Sequence, residues 1–304
     1  MLRRISKFFS KRVPPFLNIS ELRSYEAYIH HIAQSRRKTL ADWSLETSLI
    51  SDSFTEFSFK GFCYVCESVV NFKVDYQYHY DVKGISMPNW RERLVCPRCQ
   101  LNNRMRATIQ IFCQKYPQTI KSSIYLTEQT TPLYKWFKQK YPHVCGSEYL
   151  GPMIGYGSIN SKGVRNEDLT RLSFGKDSFD FILSFDVFEH IPDYKKAISE
   201  CFRCLKPDGT LYFSVPFVTP AEKNIIRAFI QNDGEVVHLL PPEYHGNPIS
   251  SEGCLCFYHF GWELLNDLEA VGFKDAKALL YWSRELGYLG GEQLMFAATK
   301  PKFH

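Results

Sequence analysis

Residues 177–217 read DSFDFILSFDVFEHIPDYKKAISECFRCLKPDGTLYFSVPF. FDFILSF is an apolar run of strand length, and YKKAISECFRCL places Ala197, Ile198, Cys201 and Leu205 at helical spacing. Lys206 and the triplet Pro207-Asp208-Gly209 end that helix, because proline cannot continue it and glycine suits a tight turn. TLYFSVPF then supplies a second strand of β-branched and aromatic residues. Strand, helix and strand at this spacing predict a right-handed βαβ unit in a parallel sheet, whose ligands lie beyond the carboxyl ends of the strands. Ser184 to Pro192 falls at such an end.

Working outward, SSIYLT from Ser122 predicts an earlier strand and TPLYKWFKQKYP the helix after it, with Thr131 as N-cap and Pro132 in the first turn. HVCGSEYL predicts the next strand, ending near Glu148, 20 residues after Glu128. Four of the 17 glycines fall between Gly151 and Gly163 and mark a loop. Downstream, NIIRAFIQ and EVVHLL flank Asn232-Asp233-Gly234, a strong hairpin turn, and lead into LLPPEYHGNPIS and GCLCFYHFGWELL. Cys254-x-Cys256 has one residue too few for a zinc knuckle and reads as strand core. Trp262–Val271 predicts an amphipathic helix ending at Gly272, with FKDAKALLYW and GGEQLMFAATK as the last two strands.

FDFILSFDVFEHIPD followed by LKPDGTLYFSVPF resembles the fourth strand, helix and fifth strand of class I S-adenosylmethionine-dependent methyltransferases, and the likeness extends more loosely from about Ser122 to Lys300. The resemblance implies a Rossmann-like seven-stranded α/β sheet, its last strand antiparallel beside the fifth, and S-adenosylmethionine as cofactor. Where that family has an acidic residue and a glycine-rich turn, this chain has Glu128-Gln129-Thr130-Thr131. Glycines there let the backbone approach the cofactor closely; here Glu128, Gln129 and Thr130 would meet it through polar groups. Glu148 resembles the carboxylate that binds both ribose hydroxyls, a task needing two acceptors at one point; the alternative is a solvated loop residue. Asp168, in NEDLTRL after the third strand, resembles the adenine contact, with Leu169 beside the ring; its competing role is a turn cap. Phe185 and Asp186 would lie against the cofactor.

A second stretch carries its own chemistry. Cys63-x-x-Cys66 and Cys96-x-x-Cys99 are two knuckles that match a structural zinc site, with VVNFKVDYQYHY between them as strands of a zinc ribbon. Four reduced core cysteines are the alternative reading. Arg91, Arg93, Arg98, Arg104 and Arg106 surround the second knuckle and suit either phosphate recognition or internal capping and docking. The expected organisation is a helical or disordered leader over residues 1–57, a zinc-ribbon-like module over 58–120, and a methyltransferase domain over 121–304 with a hairpin insertion at about 222–260. Ser20 to about Ser48 has helical periodicity, through Leu22, Tyr25, Ile29, Ile32, Leu45 and Leu49.

Composition bounds the function. The chain has 304 residues, 44% of them hydrophobic, enough for a sizeable core. No apolar run approaches the roughly 20 residues of a membrane helix. Net charge is +5, but residues 1–120 hold 18 Lys and Arg against 10 Asp and Glu, leaving 19 against 22 in the remainder, which carries no strong nucleic-acid signature. Ten cysteines accompany an amino terminus, MLRRISKFFSKRVPP, without a signal-peptide pattern, so a reducing cytoplasm is expected. That leader reads as a solvated basic segment or a short surface-seeking helix.

The resemblance implies methyl transfer from S-adenosylmethionine to an oxygen or nitrogen of a small molecule or glycan. Arg227, His238, Glu243 and Tyr244 are the candidate acceptor-binding residues, since titratable groups concentrate after the fifth strand, where substrate lids sit. His245 is the candidate base and His190 a second acid-base group, unless they only satisfy buried partners. An RNA acceptor is the rival supported by the arginines. A non-catalytic zinc-ribbon binding protein with a degenerate methyltransferase domain is the rival supported by the missing glycines.

Overall fold

The computed structural model describes residues 14–50, 54–116, 119–247 and 249–302. The basic leader, residues 1–13, lies outside the described residues. The chain divides into two compact units, one of Met1–Ile19, Arg37–Tyr116 and Tyr281–Gln293, the other of Ser20–Arg36, Pro117–Leu280 and Leu294–His304.

Strand β1 (Ile19–Leu22) and helix α1 (Tyr25–Ser48) come first. The periodicity of Leu22, Tyr25, Ile29 and Ile32 predicts helix from Ser20, yet Leu22 is buried in a strand and Ile29 and Ile32 stay 43% and 39% exposed. Helix α1 bears out the helical reading from Tyr25 onward, and only Ile19–Leu22 departs from it, where pairing at a sheet edge overrides local propensity.

In the first unit, β2 (Phe57–Cys63) pairs antiparallel with β3 (Ser68–Val74). A small hairpin of β4 (Tyr80–Val82) and β5 (Ile85–Met87), a turn of helix α2 (Trp90–Arg93) and β6 (Leu94–Val95), paired to β3, follow. Helix α3 (Asn103–Lys115) begins at Asn102, whose side chain accepts the Met105 N–H. Val70, Phe72 and Val74 alternate inward along β3 and meet Phe59, Trp90 and Leu94. Glu46, 1% exposed, accepts from Trp282 Nε1 and from the Gly290 and Gly291 amides, fixing segment 281–293 in this unit.

The second unit is built on β7 (Ile124–Leu126), α4 (Pro132–Lys140), β8 (Val144–Gly146), β9 (Phe179–Phe185), α5 (Tyr194–Cys204) and β10 (Leu205–Ser214). Next come β11 (Ile225–Ile226), β12 (Ala228–Ile230), β13 (Val236–His238), β14 (Tyr244–Asn247), β15 (Ser250–Leu255) and β16 (Tyr258–His259). Helix α6 (Glu263–Val271), β17 (Lys274–Ser283) and β18 (Tyr288–Thr299) complete the chain. The seven-stranded sheet has the order β1-β17-β18-β10-β9-β7-β8. Strands β8, β7, β9 and β10 are parallel, and β18 lies antiparallel beside β10.

This is the predicted Rossmann-like α/β sheet, reached by a different set of strands. The expected third strand is reduced to one bridge, Glu148 to Asn166, and β1 supplies the seventh strand at the opposite edge. The glycine-bearing segment before Asn166 folds onto that residue instead, its side chain accepting from Leu150 N–H and donating to Ile154 O.

Helix α5 buries Ala197, Ile198, Cys201 and Cys204, is capped by Asp193, and ends at Cys204, two residues before Lys206. The left-handed residue of the turn is Asp208, at φ 63°, rather than Gly209. Gly209 is required by close packing, since a Cβ there would stand 2.8 Å from Lys206 O. Strands β12 and β13 form the predicted hairpin, its turn closed by Gly234 at φ 90°. A second hairpin, β14 with β15, was not signalled by any turn read from the sequence. Among the described residues no helix is long and apolar enough to cross a membrane.

Candidate functional site

The carboxyl ends of β7, β8 and β9 bring the predicted cofactor residues to one edge of the second unit. Glu148, 8% exposed, follows β8, and its Oε1 accepts from the Gln129 and Thr130 amides (2.8 Å each) and from Thr130 Oγ1 (2.7 Å). A carboxylate thus organises the loop that glycines shape in the resembled family. Gln129 ties that loop to the next, donating to Gly163 O and accepting from Arg165 N–H. Gly146 is the close approach here, for a Cβ would stand 2.7 Å from Glu128 O.

Asp168 Oδ1 accepts from the Thr170 amide and hydroxyl, and Oδ2 receives Tyr156 Oη at 3.4 Å, so this carboxylate caps its own turn. Leu169 is buried in the main core. At the end of β9 the Phe185 ring packs edge-on to Tyr212, and Asp186 adopts φ 54° with Oδ1 accepting from Ser214 Oγ.

The turn after β9, Phe188–His190, starts a second group of side chains. Glu189 is fully buried, and neither carboxylate oxygen receives a hydrogen bond from the described residues. His190 Nε2 and His245 Nδ1 each stand 3.5 Å from Glu189 Oε1, with the two rings edge-to-face at 4.9 Å. His190 Nδ1 lies 2.9 Å from Leu255 O, which fixes that nitrogen as the donor. His245 Nε2 lies 2.9 Å from Glu243 Oε1, an oxygen also reached by His259 Nε2 at 3.1 Å, while Arg227 pairs with Oε2 at 3.1 Å.

The backbone explains this convergence. Phe257 N–H donates to Glu189 O, Arg227 N–H donates to Phe257 O, and His245 sits opposite Cys254 across the second hairpin. Gly253, at φ 76°, brings that hairpin together, since a Cβ would meet His245 O at 2.8 Å. Gly253→Ala is therefore expected to destabilise by about 1–3 kcal/mol through strain and displacement of His245. A thermal melt unchanged within a degree would contradict this.

Cys256, read from sequence as strand core, is buried, but its sulfur groups with Glu243 and His259, the three ligand atoms lying within 4.8 Å of one another. The sulfur of Cys256 and the Glu189 and Glu243 carboxylates push the His245 imidazole up, to about 11. Burial pushes the Glu243 carboxyl up, and hydrogen bonds from His245 and His259 outweigh it and hold it below its ordinary value. His238 and Tyr244 are exposed, Tyr244 at 59%, and His238 pairs with Ala228 away from the Glu243 contacts. Sequence reasoning counted His259 among the titratable groups after the fifth strand and read Glu189-His190 as an acid-base or loop-orienting pair, but it missed the approach of Cys256 to His259 and Glu243 and the complete burial of Glu189.

In the first unit, the Sγ atoms of Cys63, Cys66, Cys96 and Cys99 all lie within 4.8 Å of one another, with Cys63 to Cys99 and Cys66 to Cys96 at 3.8 Å. Zinc–sulfur bonds of about 2.3 Å in a tetrahedron give sulfur–sulfur edges of about 3.8 Å, so the four thiols fit that ion. The surrounding arginines are engaged internally. Arg91 and Arg104 share Glu92, Arg93 binds Asp75, and Arg98 donates to Ser68. Arg106, fully buried over the Phe72 ring, donates to Leu94, Leu286 and Gly287 carbonyls.

Residues 130–213 match the family described as a methyltransferase domain. An arsenite methyltransferase of Aquipseudomonas alcaligenes is 36% identical over 67 residues, 22% of this chain and 19% of that protein. A probable S-adenosylmethionine-dependent methyltransferase of Mycolicibacterium smegmatis is 38% identical over 53 residues, 17% of this chain and 21% of that protein. The chain thus spans about a fifth of the length of these relatives. A solved S-adenosylmethionine-dependent methyltransferase from Mesorhizobium loti is similar at 15% identity and a TM-score of 0.38, covering 64% of this chain and 98% of that one.

Proposed function

We propose that the chain transfers a methyl group from S-adenosylmethionine to an oxygen or nitrogen of a small molecule or glycan in the cytoplasm, and that its four-cysteine module holds a structural zinc ion. The observation that carries the first part is the methyltransferase-domain match over residues 130–213, a stretch that contains the strand-end carboxylates Glu148, Asp168 and Asp186.

Glu148 would accept from the donor's ribose hydroxyls, a role supported by its place after β8, and its Oε1 keeps Gln129 and Thr130 in place. Asp168 and Leu169 would flank the adenine, and Phe185 and Asp186 the remainder. The bound sulfonium supplies an electrophilic methyl group. The protein's share is to align the acceptor with it, exclude water and receive a proton when the acceptor is neutral. Arg227 and Glu243, held together at 3.1 Å, offer charge for orienting a polar acceptor. His190, whose Nδ1 is committed to Leu255 O, turns Nε2 toward the Glu189 carboxylate at 3.5 Å.

The internal engagement of Arg91, Arg93, Arg98, Arg104 and Arg106 favours small acceptors over RNA, because phosphate binding would have to break those pairs. A methyl-tritiated donor incubated with a panel of sugars and amines and, separately, with total RNA tests the choice. Label is expected in a small acceptor. Label in RNA alone would favour the RNA rival, and label in neither, without cofactor binding, the non-catalytic one.

A further inference from the structure

We propose that Glu189, His190 and His245 form a binding site for a divalent transition-metal ion, separate from the four-cysteine module. Two histidines and one carboxylate converge from distant parts of the chain, the turn after β9 and the second hairpin, with their ligand atoms within 4.8 Å of one another.

Three observations point to a cation. First, the Glu189 carboxylate is completely buried and, among the described residues, neither oxygen receives a hydrogen bond, so a cation between it and the two imidazoles would compensate its charge. Second, both histidine nitrogens stand 3.5 Å from Glu189 Oε1, close to the edge of about 3.4 Å expected of a tetrahedron with metal–ligand bonds near 2.1 Å. Third, each imidazole has its other nitrogen committed outward. His190 Nδ1 donates to Leu255 O, and His245 Nε2 faces Glu243 Oε1. Metal-binding histidines are oriented in this manner, with the remote N–H on a carbonyl or carboxylate. Glu243 is itself steadied by His259 and Arg227.

Two imidazoles and a carboxylate suit zinc or another late divalent ion, and three protein ligands leave a coordination position for water or an oxygen of a ligand. The site follows β9, at the same sheet edge as Asp186, so an oxygen-bearing acceptor could occupy that position. Metal binding here is independent of whether the chain transfers methyl groups.

The test is titration of the metal-free, reduced full chain with Co2+, followed by visible spectroscopy, and with Zn2+, followed by elemental analysis after dialysis. The wild type is expected to take up two ions per chain. One cobalt ion should show the thiolate charge-transfer band of a four-sulfur site, and the other weaker d–d bands without added charge transfer. The Glu189→Gln, His190→Gln double variant is expected to lose only the second ion and to keep the thiolate band. Should that variant fail to fold, the wild-type titration decides alone. A single ion per chain carrying only the thiolate band overturns the proposal. So does a second ion that adds thiolate charge transfer, which would place it on Cys256, Glu243 and His259, or a second ion retained by the double variant. A chain lacking the four-cysteine zinc shows instead only the d–d spectrum, so the two sites fail separately.

Discussion

Cys63→Ser, Cys66→Ser is expected to lower zinc content by one ion per chain and to unfold the first unit. The two remaining thiols cannot close a tetrahedron, and structural zinc contributes on the order of 10–16 kcal/mol in small cysteine modules. That is as large as the whole stability, about 5–15 kcal/mol, of an ordinary domain. The unit's own core is modest, with Phe59, Phe72, Val74, Trp90 and Leu94 at its centre, so it has little to offset the loss. Elemental analysis and hydrogen exchange across residues 57–115 read the two effects together. Unchanged zinc and unchanged protection would return the cysteines to the role of reduced core residues.

Glu148→Ala is expected to weaken S-adenosylhomocysteine binding by about 1–3 kcal/mol, roughly fivefold to more than a hundredfold in affinity. The carboxylate has two tasks in this account. It accepts from the donor's ribose, and through Oε1 it holds Gln129 N–H, Thr130 N–H and Thr130 Oγ1, so its loss also releases the loop before α4. Glu148→Gln keeps an accepting oxygen without the charge and is expected to fall between alanine and wild type. Equal affinities for all three would remove Glu148 from the cofactor site.

How much was legible in the sequence follows from where the physics is local. The β9-α5-β10 unit is written in adjacent residues: an apolar run, helical spacing of Ala197, Ile198 and Cys201, and a proline-bearing turn. The Cys-x-x-Cys pairs are likewise local, and their 3.8 Å sulfur spacing is that of the predicted ion. Strand β1 was not legible, because Ile19–Leu22 is extended only through its place at the sheet edge. Nor was the loss of the third strand, which depends on Asn166 gathering the Leu150–Ile154 backbone. The histidine cluster depends on a long-range bond, Phe257 N–H to Glu189 O, and on a hairpin closed by Gly253. His245 was singled out as a base for its residue type and its place after the fifth strand. Its setting between two carboxylates is a property of the fold.

The central claim, that the second unit holds S-adenosylmethionine, is tested most directly by calorimetric titration of the wild-type full chain with S-adenosylhomocysteine. The account predicts one site per chain with a dissociation constant in the micromolar range, about −8 kcal/mol. No heat of binding at concentrations up to a millimolar, from a chain that melts cooperatively, would contradict it.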